Sequence, residues 1–164
     1  MSDEPDAIDA VVDAWARERP DLDLSAIGLV GRFGRLVMLL GPAQERVFTE
    51  FGLRPGEFDV LATLRRSGPP YTLMPSQLAQ TLMLSRAGMT NRLDRLESAG
   101  FVRRELDPAD RRSFRVQLTD SGYETVDAAM TAHTANVTEL VSALDPAARA
   151  DLDAHLRALL RALS

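Results

Sequence analysis

The feature of this sequence that most restricts its fold is a pair of short helical segments joined by a very tight connection. The first segment, PSQLAQTLML at 75–84, has a proline near its first turn and apolar residues at helical spacing. The second, SRAGMTNRLDRLESAG at 85–100, begins with Ser85, a favourable N-cap, and ends at Gly100. Only a few residues around Met83 remain for the connection. This pattern predicts a helix-turn-helix.

A predicted β-hairpin follows this helix pair directly. Residues 101–106, FVRREL, are typical of a strand, and residues 112–118, RSFRVQL, alternate between apolar and polar side chains as a half-buried strand does. The polar sequence DPADR lies between them. A helix-turn-helix followed by a hairpin predicts a mainly α-helical fold, namely a winged helix-turn-helix with a two-stranded β-wing.

Helical patterns also precede the predicted helix-turn-helix. Apolar residues recur at three- and four-residue spacing over residues 5–18 and again over residues 25–51, where Gly41 and Pro42 predict a kink. A third helix is predicted over residues 55–68, beginning at a proline and ending at a glycine. The helix-turn-helix is therefore expected to be preceded by three helices.

Two further helices are predicted after the wing. Asp120 or Ser121 is expected to cap a helix that continues to Val141, and Asp145 with Pro146 begins the last helix. The terminal helices carry apolar stripes outside the winged helix, and the same helices of a second copy would cover them in a twofold homodimer. The predicted regions are an N-terminal helix and linker at 1–24, a helical dimerisation region at 25–54 and 119–164, and a winged helix-turn-helix DNA-binding domain at 55–118.

Basic residues are concentrated in the predicted helix-turn-helix and wing. The chain carries a formal net charge of -5, and all 19 of its basic residues are arginine. Residues 86–115 nevertheless contain eight arginines against five acidic residues. An acidic chain with one locally basic segment suggests a confined site for an anionic partner.

The wing arginines suit double-stranded DNA as that partner. Arginine is suited to a narrow minor groove, which a hairpin tip can reach while the second helix of the motif lies in the adjacent major groove. Arg112 is the first choice for insertion, Arg111 would contact a phosphate, and Asp110 would orient an arginine. Helix capping is an equally good explanation for Ser76 and Ser85. The predicted DNA-binding residues are Ser76, Gln77, Ser85, Arg86, Thr90, Asn91, Arg95, Asp110, Arg111 and Arg112.

The sequence offers little for catalysis. It contains no cysteine, which excludes disulfides, a thiol nucleophile and a cysteine zinc site. His133 and His155 lie in different predicted helices without neighbouring metal ligands, and both are expected at the surface or in a dimer interface. No Gly-rich phosphate loop is present. We therefore expect no enzyme activity, no cofactor and no metal site.

The N-terminal segment does not have the pattern of a signal peptide. The first 30 residues are acidic and lack a basic start followed by a long apolar core. No apolar stretch of about 18 residues is apparent, so no membrane span is expected. These features favour a cytoplasmic protein.

The sequence ESAGFVRRELDPADRRSFRVQLTDSG at 97–122 resembles the MarR family of bacterial transcription regulators. The spaced Asp107, Asp110 and Arg112 are similar to the wing pattern of that family, and the resemblance extends from about residue 27 to residue 163. It implies a homodimer that binds a pseudo-palindromic operator, blocks a promoter and releases it when a ligand binds.

A narrower resemblance concerns the N-terminal helix. Trp15 and the sequence RPDLD that follows it look like the urate-responsive, PecS-type branch of the same family. That branch uses a tryptophan, an aspartate and two arginines around its ligand. The resemblance therefore implies that Trp15, Asp59, Arg92 and Arg104 contact a ligand here.

The predicted positions of Arg92 and Asp59 leave two explanations open. Arg92 lies about 60° from Met89 around its helix, on the flank of the buried face, and Asp59 follows an inward-facing phenylalanine. These charges could form a structural ion pair, with Arg104 as the other possible partner of Asp59, because an isolated buried charge is costly. Alternatively, Arg92 binds a small anion, such as urate or another organic acid, that packs on Trp15. Trp15 could equally be an anchor that only docks its helix.

Two functions are consistent with these patterns. The first is a homodimeric repressor that a small anionic ligand releases from DNA. The alternative is a winged-helix protein-interaction module without DNA binding. Binding to the DNA upstream of its own gene, with sequence preference and steep salt dependence, would distinguish the first from the second.

Overall fold

The structure is a computed structural model that describes residues 4–108 and 113–164. The chain divides into two compact units, Met1–Ala43 and Gln44–Ser164. The elements in chain order are α1 (Ala7–Glu18), α2 (Ser25–Glu50), α3 (Pro55–Arg66), β1 (Thr72–Leu73), α4 (Pro75–Thr81), α5 (Arg86–Ser98), β2 (Val102–Leu106), β3 (Phe114–Leu118), α6 (Asp120–Leu140) and α7 (Pro146–Leu163).

The first unit contains α1 packed on the N-terminal part of α2. Asp6 caps α1, and Arg32 of α2 donates to the carboxylates of Asp6 and Asp9 at 2.8 and 2.5 Å. Gly31 lets the two helices approach closely, since a β-carbon there would lie 3.1 Å from the Ile8 side chain. The predicted N-terminal helix is confirmed, and its apolar face packs on α2.

The long helix α2 continues through Pro42, and the boundary between the two units falls just after this residue. Several of its large apolar side chains are exposed, among them Val37 and Met38, both at 71%. By length and composition α2 could cross a membrane, so the expectation that the sequence has no such stretch is wrong. The same composition suits a helix covered by another protein chain, as the sequence predicts for this segment.

The core of the second unit lies where α3, α4, α5, α6 and the sheet meet. Leu61 and Leu64 of α3, Leu78 of α4, Leu93 of α5 and Val116 of β3 are all buried in it. Apolar residues at helical spacing give each helix one apolar face, and these faces pack together and are buried from water. This core positions the helix-turn-helix and the wing.

The helix-turn-helix forms as predicted, although its first helix ends earlier. α4 ends at Thr81, and Met83 adopts a left-handed conformation with a φ of 51°. The Leu84 amide donates to the Ala79 carbonyl at 2.9 Å, which closes the turn. Ser85 caps α5 as expected by accepting from the amide of the third residue after it, at 3.1 Å. A left-handed residue stops α4 because it redirects the chain.

The sheet has three antiparallel strands in the order β1-β3-β2, one more than predicted. The additional strand is only two residues long and pairs Thr72 with Gln117. Two residues cannot show alternating hydrophobicity, so the sequence pattern does not reveal this strand. At the outer end of the wing, the buried Asp107 forms an ion pair with Arg115 at 2.9 Å.

The cap of α6 differs from the prediction. Thr119 caps this helix, not Asp120 or Ser121, because its hydroxyl oxygen accepts from the Gly122 amide at 3.0 Å. The same hydroxyl donates to the Gly100 carbonyl at 2.7 Å. Thr119 therefore connects the end of the wing to the end of α5 as well as to α6.

The last helix begins as predicted. Asp145 caps α7 by accepting from the Ala148 amide at 2.9 Å, and Pro146 occupies its first turn. No residue of α7 is buried in the single chain. Its exposed leucines are Leu152, Leu156, Leu159, Leu160 and Leu163.

Candidate nucleic-acid interface and ligand-binding residues

The second helix of the motif, α5, presents a polar face to solvent. Arg86, Thr90 and Asn91 are exposed, whereas Met89 and Leu93 are buried in the core. The Thr90 hydroxyl donates to the Arg86 carbonyl at 3.0 Å. Within residues 4–108 and 113–164, the Arg86 guanidinium and the Asn91 amide have no hydrogen-bond or ion-pair partner. Both groups are therefore free to contact a nucleic acid.

The start of α4 adds further polar groups beside this face. Ser76, Arg86, Thr90 and Phe114 line one groove of about 410 Å³, so α4, α5 and β3 all contribute to it. Ser76 makes no capping bond, and Gln77 instead accepts from the Met74 amide at 2.8 Å. The structure thus brings together three residues that the sequence predicts for DNA binding.

Arg95 is held separately from these residues. Its guanidinium donates to the Glu57 carboxylate at 2.5 Å, and Glu57 is buried. Glu57 also accepts from the Arg54 amide at 2.9 Å. Because this pair connects α5 to the start of α3, Arg95 already has an intramolecular role, and its contact with DNA stays a prediction.

Three of the predicted DNA contacts fall on the tip of the wing. Asp110, Arg111 and Arg112 lie outside the residues that the structure describes, so their roles remain predictions from the sequence. The strands on either side, β2 and β3, form the predicted hairpin.

Arg92 lies on the flank of the buried face of α5, as predicted. The residue is half-buried, and its guanidinium lies against the first turn of α3, where a β-carbon on Gly56 would overlap it. In the described ranges no carboxylate lies within ion-pair distance of this guanidinium. The predicted structural ion pair between Arg92 and Asp59 is therefore not formed.

Asp59 is exposed in the single chain. It follows Phe58 by one residue, which turns it about 100° away from the buried face of α3. Partial desolvation by the surrounding protein raises the pKa of the Asp59 carboxyl, whereas the positive charges of Arg92 and Arg66 and the proximity of His133 lower it. The net direction is upwards.

A pH-dependent contribution to stability follows from this shift. Because the pKa of Asp59 is raised on folding, its contribution is present below the ordinary value of 3.8 and is lost as the pH rises through the folded-state pKa. We therefore expect Asp59→Asn to melt at a slightly higher temperature than the parent at neutral pH. The difference should disappear below about pH 4. Thermal melting of both proteins across this range tests the prediction, and an Asp59→Asn variant that is less stable at neutral pH contradicts it.

His133, which was expected at the surface or in a dimer interface, is partly buried and contributes to the same region. Its ring centroid lies 5.1 Å from that of Phe48 and 5.5 Å from that of Phe58. Its Nδ1 atom is buried and, in the described part of the chain, has no hydrogen-bond partner. No pattern in the sequence associates a histidine of α6 with an aspartate of α3, because only the packing of these helices brings them together.

Arg104 links the wing to α5. Its guanidinium contacts the carboxylates of Asp94 and Glu97 at 2.5 and 3.6 Å, and its amide donates to Glu97 at 3.1 Å. The alternative pairing of Arg104 with Asp59 is not formed. A change at Arg104 would act directly on α5, the predicted recognition helix.

Trp15 lies on α1 in the first unit. Its side chain is 54% exposed, and the neighbouring apolar residue Val11 is 49% exposed. The assignment of Trp15 to a ligand therefore continues to rest on the sequence.

Comparisons with known proteins agree with this architecture. A model of the MarR family matches residues 51–113. The transcriptional regulator PecS of Dickeya dadantii is 41% identical over 92% of this chain and 88% of its own length. The crystal structure of AbsC, a MarR family regulator from Streptomyces coelicolor, has a TM-score of 0.73 and 26% identity and covers 87% of this chain and 95% of its own.

A variant of MarR from Escherichia coli, crystallised in complex with operator DNA, gives a TM-score of 0.67 at 26% identity. That alignment covers 85% of this chain and 99% of the MarR chain. The relatives are regulators and not enzymes, as the sequence predicts for this chain. The winged helix, the free polar face of α5 and the 41% identity to PecS together show that this chain belongs to the MarR family of DNA-binding transcription regulators, in its PecS branch.

Proposed function

We propose that this protein is a homodimeric repressor that binds a pseudo-palindromic operator and leaves it when a small anionic ligand binds. The observation that carries the ligand response is the half-buried guanidinium of Arg92, which lies against α3 without a carboxylate partner in the described ranges. A guanidinium without a carboxylate partner can form a charge-assisted pair with an anionic ligand.

DNA binding by a dimer is supported by the exposed surfaces. The Arg86 and Asn91 side chains are free within the described residues, and arginine and asparagine are suited to guanine and adenine edges in the major groove. Large apolar side chains on α2 and α7 are exposed in the single chain and suit a second copy, consistent with the predicted dimerisation region at 25–54 and 119–164. The operator-bound MarR of Escherichia coli has the same fold.

The proposed ligand is urate or another planar organic anion. Arg92 provides a guanidinium for a carboxylate or enolate oxygen, and it lies close enough to Asp59 for its positive charge to act on that carboxyl. The ligand would displace α5 through Arg92, and α5 also carries the proposed DNA contacts. If the ligand binds the free conformation more tightly than the DNA-bound conformation by about 1.4 kcal/mol, the affinity for the operator falls tenfold.

Fluorescence anisotropy with the DNA upstream of the protein's own gene tests the DNA part of this proposal. We expect sequence-preferring binding whose affinity falls steeply with salt, because arginines displace counterions from the phosphates. Addition of urate, a dicarboxylate or a phenolic acid should then lower the affinity. Equal binding to unrelated DNA at every salt concentration would instead favour a protein-interaction module.

Substitutions at Arg92 and Gly56 test the ligand part. Arg92→Ala removes the guanidinium, and Gly56→Ala pushes it aside, since the new β-carbon would occupy its position. Both variants should fold and bind DNA, because the flexible Arg92 side chain can move at little cost. Both should lose about tenfold or more in urate affinity. Thermal shift and urate titration measure the two properties separately.

Arg157→Ala provides the control for these substitutions, since Arg157 is an exposed arginine of α7 paired only with Asp153 among the described residues. Trp15→Phe tests the tryptophan by itself. Should urate stabilise Arg92→Ala and Gly56→Ala as strongly as it stabilises the parent, the proposed ligand residues are wrong.

A further inference from the structure

Arg65, in the last turn of α3, is held by three side chains. Its Nε donates to the Asp127 carboxylate of α6 at 2.8 Å. Its guanidinium carbon lies 4.4 Å from the ring centroid of Tyr123 and 5.3 Å from that of Tyr71. A guanidinium that stacks on aromatic rings and forms a charge-assisted pair has little freedom to reorient. We name Arg65, Tyr71, Tyr123 and Asp127 the Arg65 cluster.

Tyr71 connects this cluster to the sheet that carries the wing. Its carbonyl accepts from the Leu118 amide of β3 at 3.2 Å, and the Pro70 carbonyl accepts from the Gln117 side chain at 3.0 Å. Gln117 in turn accepts from Arg103 of β2 at 2.8 Å. A continuous series of contacts thus joins both wing strands to α3 and α6.

The backbone of Tyr71 is consistent with a position imposed by its surroundings. Its φ is 58°, in the left-handed region that bulky residues rarely occupy. Its ring lies 5.2 Å from that of Tyr123, so both its main chain and its side chain are in contact with neighbouring elements. Such a conformation persists when surrounding contacts over-determine it.

The wing has a second attachment to α6. The Thr119 amide donates to the Phe101 carbonyl at 3.1 Å, and Gly122 packs so closely on this carbonyl that it has no room for a β-carbon. Each additional attachment restricts the rotations that the wing could otherwise make. The Arg65 cluster and the contact at Gly122 are two such attachments, in addition to the packing of Val116 in the core.

We propose that Arg65 is a positioning residue that sets the direction of the wing relative to α6, and through it the wing's approach to the DNA. This inference rests on the proposed function, because it requires that the wing contacts DNA. Recognition sites need their contact groups held within about 10–20° of the productive geometry. Two anchored wings on one dimer would therefore reach both flanks of the operator at once.

The cluster is expected to affect recognition more than stability. Arg65 and Asp127 are 35% and 45% exposed, and ion pairs at this exposure contribute little to folding. A residue of purely structural importance would weaken every DNA contact equally when replaced. Loss of a positioning residue should instead weaken the wing contacts selectively.

Hydroxyl-radical footprinting of Arg65→Met on the operator tests the proposal. We expect the minor-groove protection that flanks each half-site to be lost, while protection at the half-sites remains. Operator affinity should fall about tenfold, and substitutions in the flanking base pairs should matter less than they do for the parent. Arg65→Lys, which keeps the charge but not the forked pair, should show an intermediate pattern.

Arg19→Met serves as the matched control, since it removes an exposed arginine–aspartate pair outside the wing and the predicted dimerisation region. If Arg65→Met does not fold, Asp127→Asn replaces it, because this change keeps the shape and removes the charge. An unchanged footprint, or one that weakens evenly at all positions, overturns the role of Arg65 alone. A parent protein without any sequence-preferring footprint overturns the proposed function and this inference together.

Discussion

Replacement of Gly122 by alanine is expected to destabilise the protein strongly. Gly122 is buried at the first turn of α6, and a β-carbon there would overlap the Phe101 carbonyl. The Phe101 backbone cannot shift easily to make room, because Phe101 lies between α5 and β2 and its carbonyl also accepts from the Thr119 amide. We expect a loss of about 3 kcal/mol or more in unfolding free energy, at the upper end for overpacking.

Chemical denaturation and thermal melting measure this loss, which corresponds to roughly 10 °C in melting temperature for a chain of this size. Ser121→Ala is the matched control, because it adds no atoms at the neighbouring, exposed position of the same turn. If Gly122→Ala has the same melting temperature as the control, Phe101 and α6 are not packed as described.

Replacement of Arg86 or Asn91 by alanine is expected to reduce operator affinity about tenfold to a hundredfold without affecting stability. Both side chains are exposed on α5 and free of partners within the described residues. Each good contact with a base edge discriminates by about 1–3 kcal/mol. Anisotropy titrations should show a larger loss on the operator than on unrelated DNA, since only the operator provides the matching bases.

Arg95→Ala gives an informative contrast on the same helix. Because Arg95 pairs with the buried carboxylate of Glu57, its removal leaves that charge without its cation. We expect Arg95→Ala to lower the melting temperature, whereas Arg86→Ala should not. Reversal of these two outcomes would mean that the Arg95–Glu57 pair does not stabilise the fold and that Arg86 does contribute to it.

Local patterns were sufficient for most of the fold. The apolar spacing of the helices, the caps Ser85 and Asp145 and the left-handed Gly100 act within a few residues, and the structure confirms them. The errors occurred where a neighbour in space decided the outcome. β1 forms because β3 lies beside it. The capping hydroxyl of Thr119 is also held in place by its hydrogen bond to the Gly100 carbonyl.

For the candidate ligand residues, too, local patterns predict some properties and the packing of the helices decides others. The position of Arg92 on the flank of α5 follows from helical geometry alone. Its lack of a carboxylate partner in the described ranges, the exposure of Asp59 and the proximity of His133 depend on how α3, α5 and α6 pack. Helical periodicity places a residue on a face but does not specify which side chain of another helix lies opposite.

The sequence by itself determined the winged-helix architecture and the exposed polar face of α5, because these depend on residue spacing within single segments. Tertiary structure decided which charges are paired: Arg95 with Glu57, Arg104 with Asp94, and Arg65 with Asp127. Arg65 also stacks on two tyrosine rings. Ion pairs between distant segments depend on interatomic distances of a few ångströms, and these arise only after the hydrophobic core has positioned the helices.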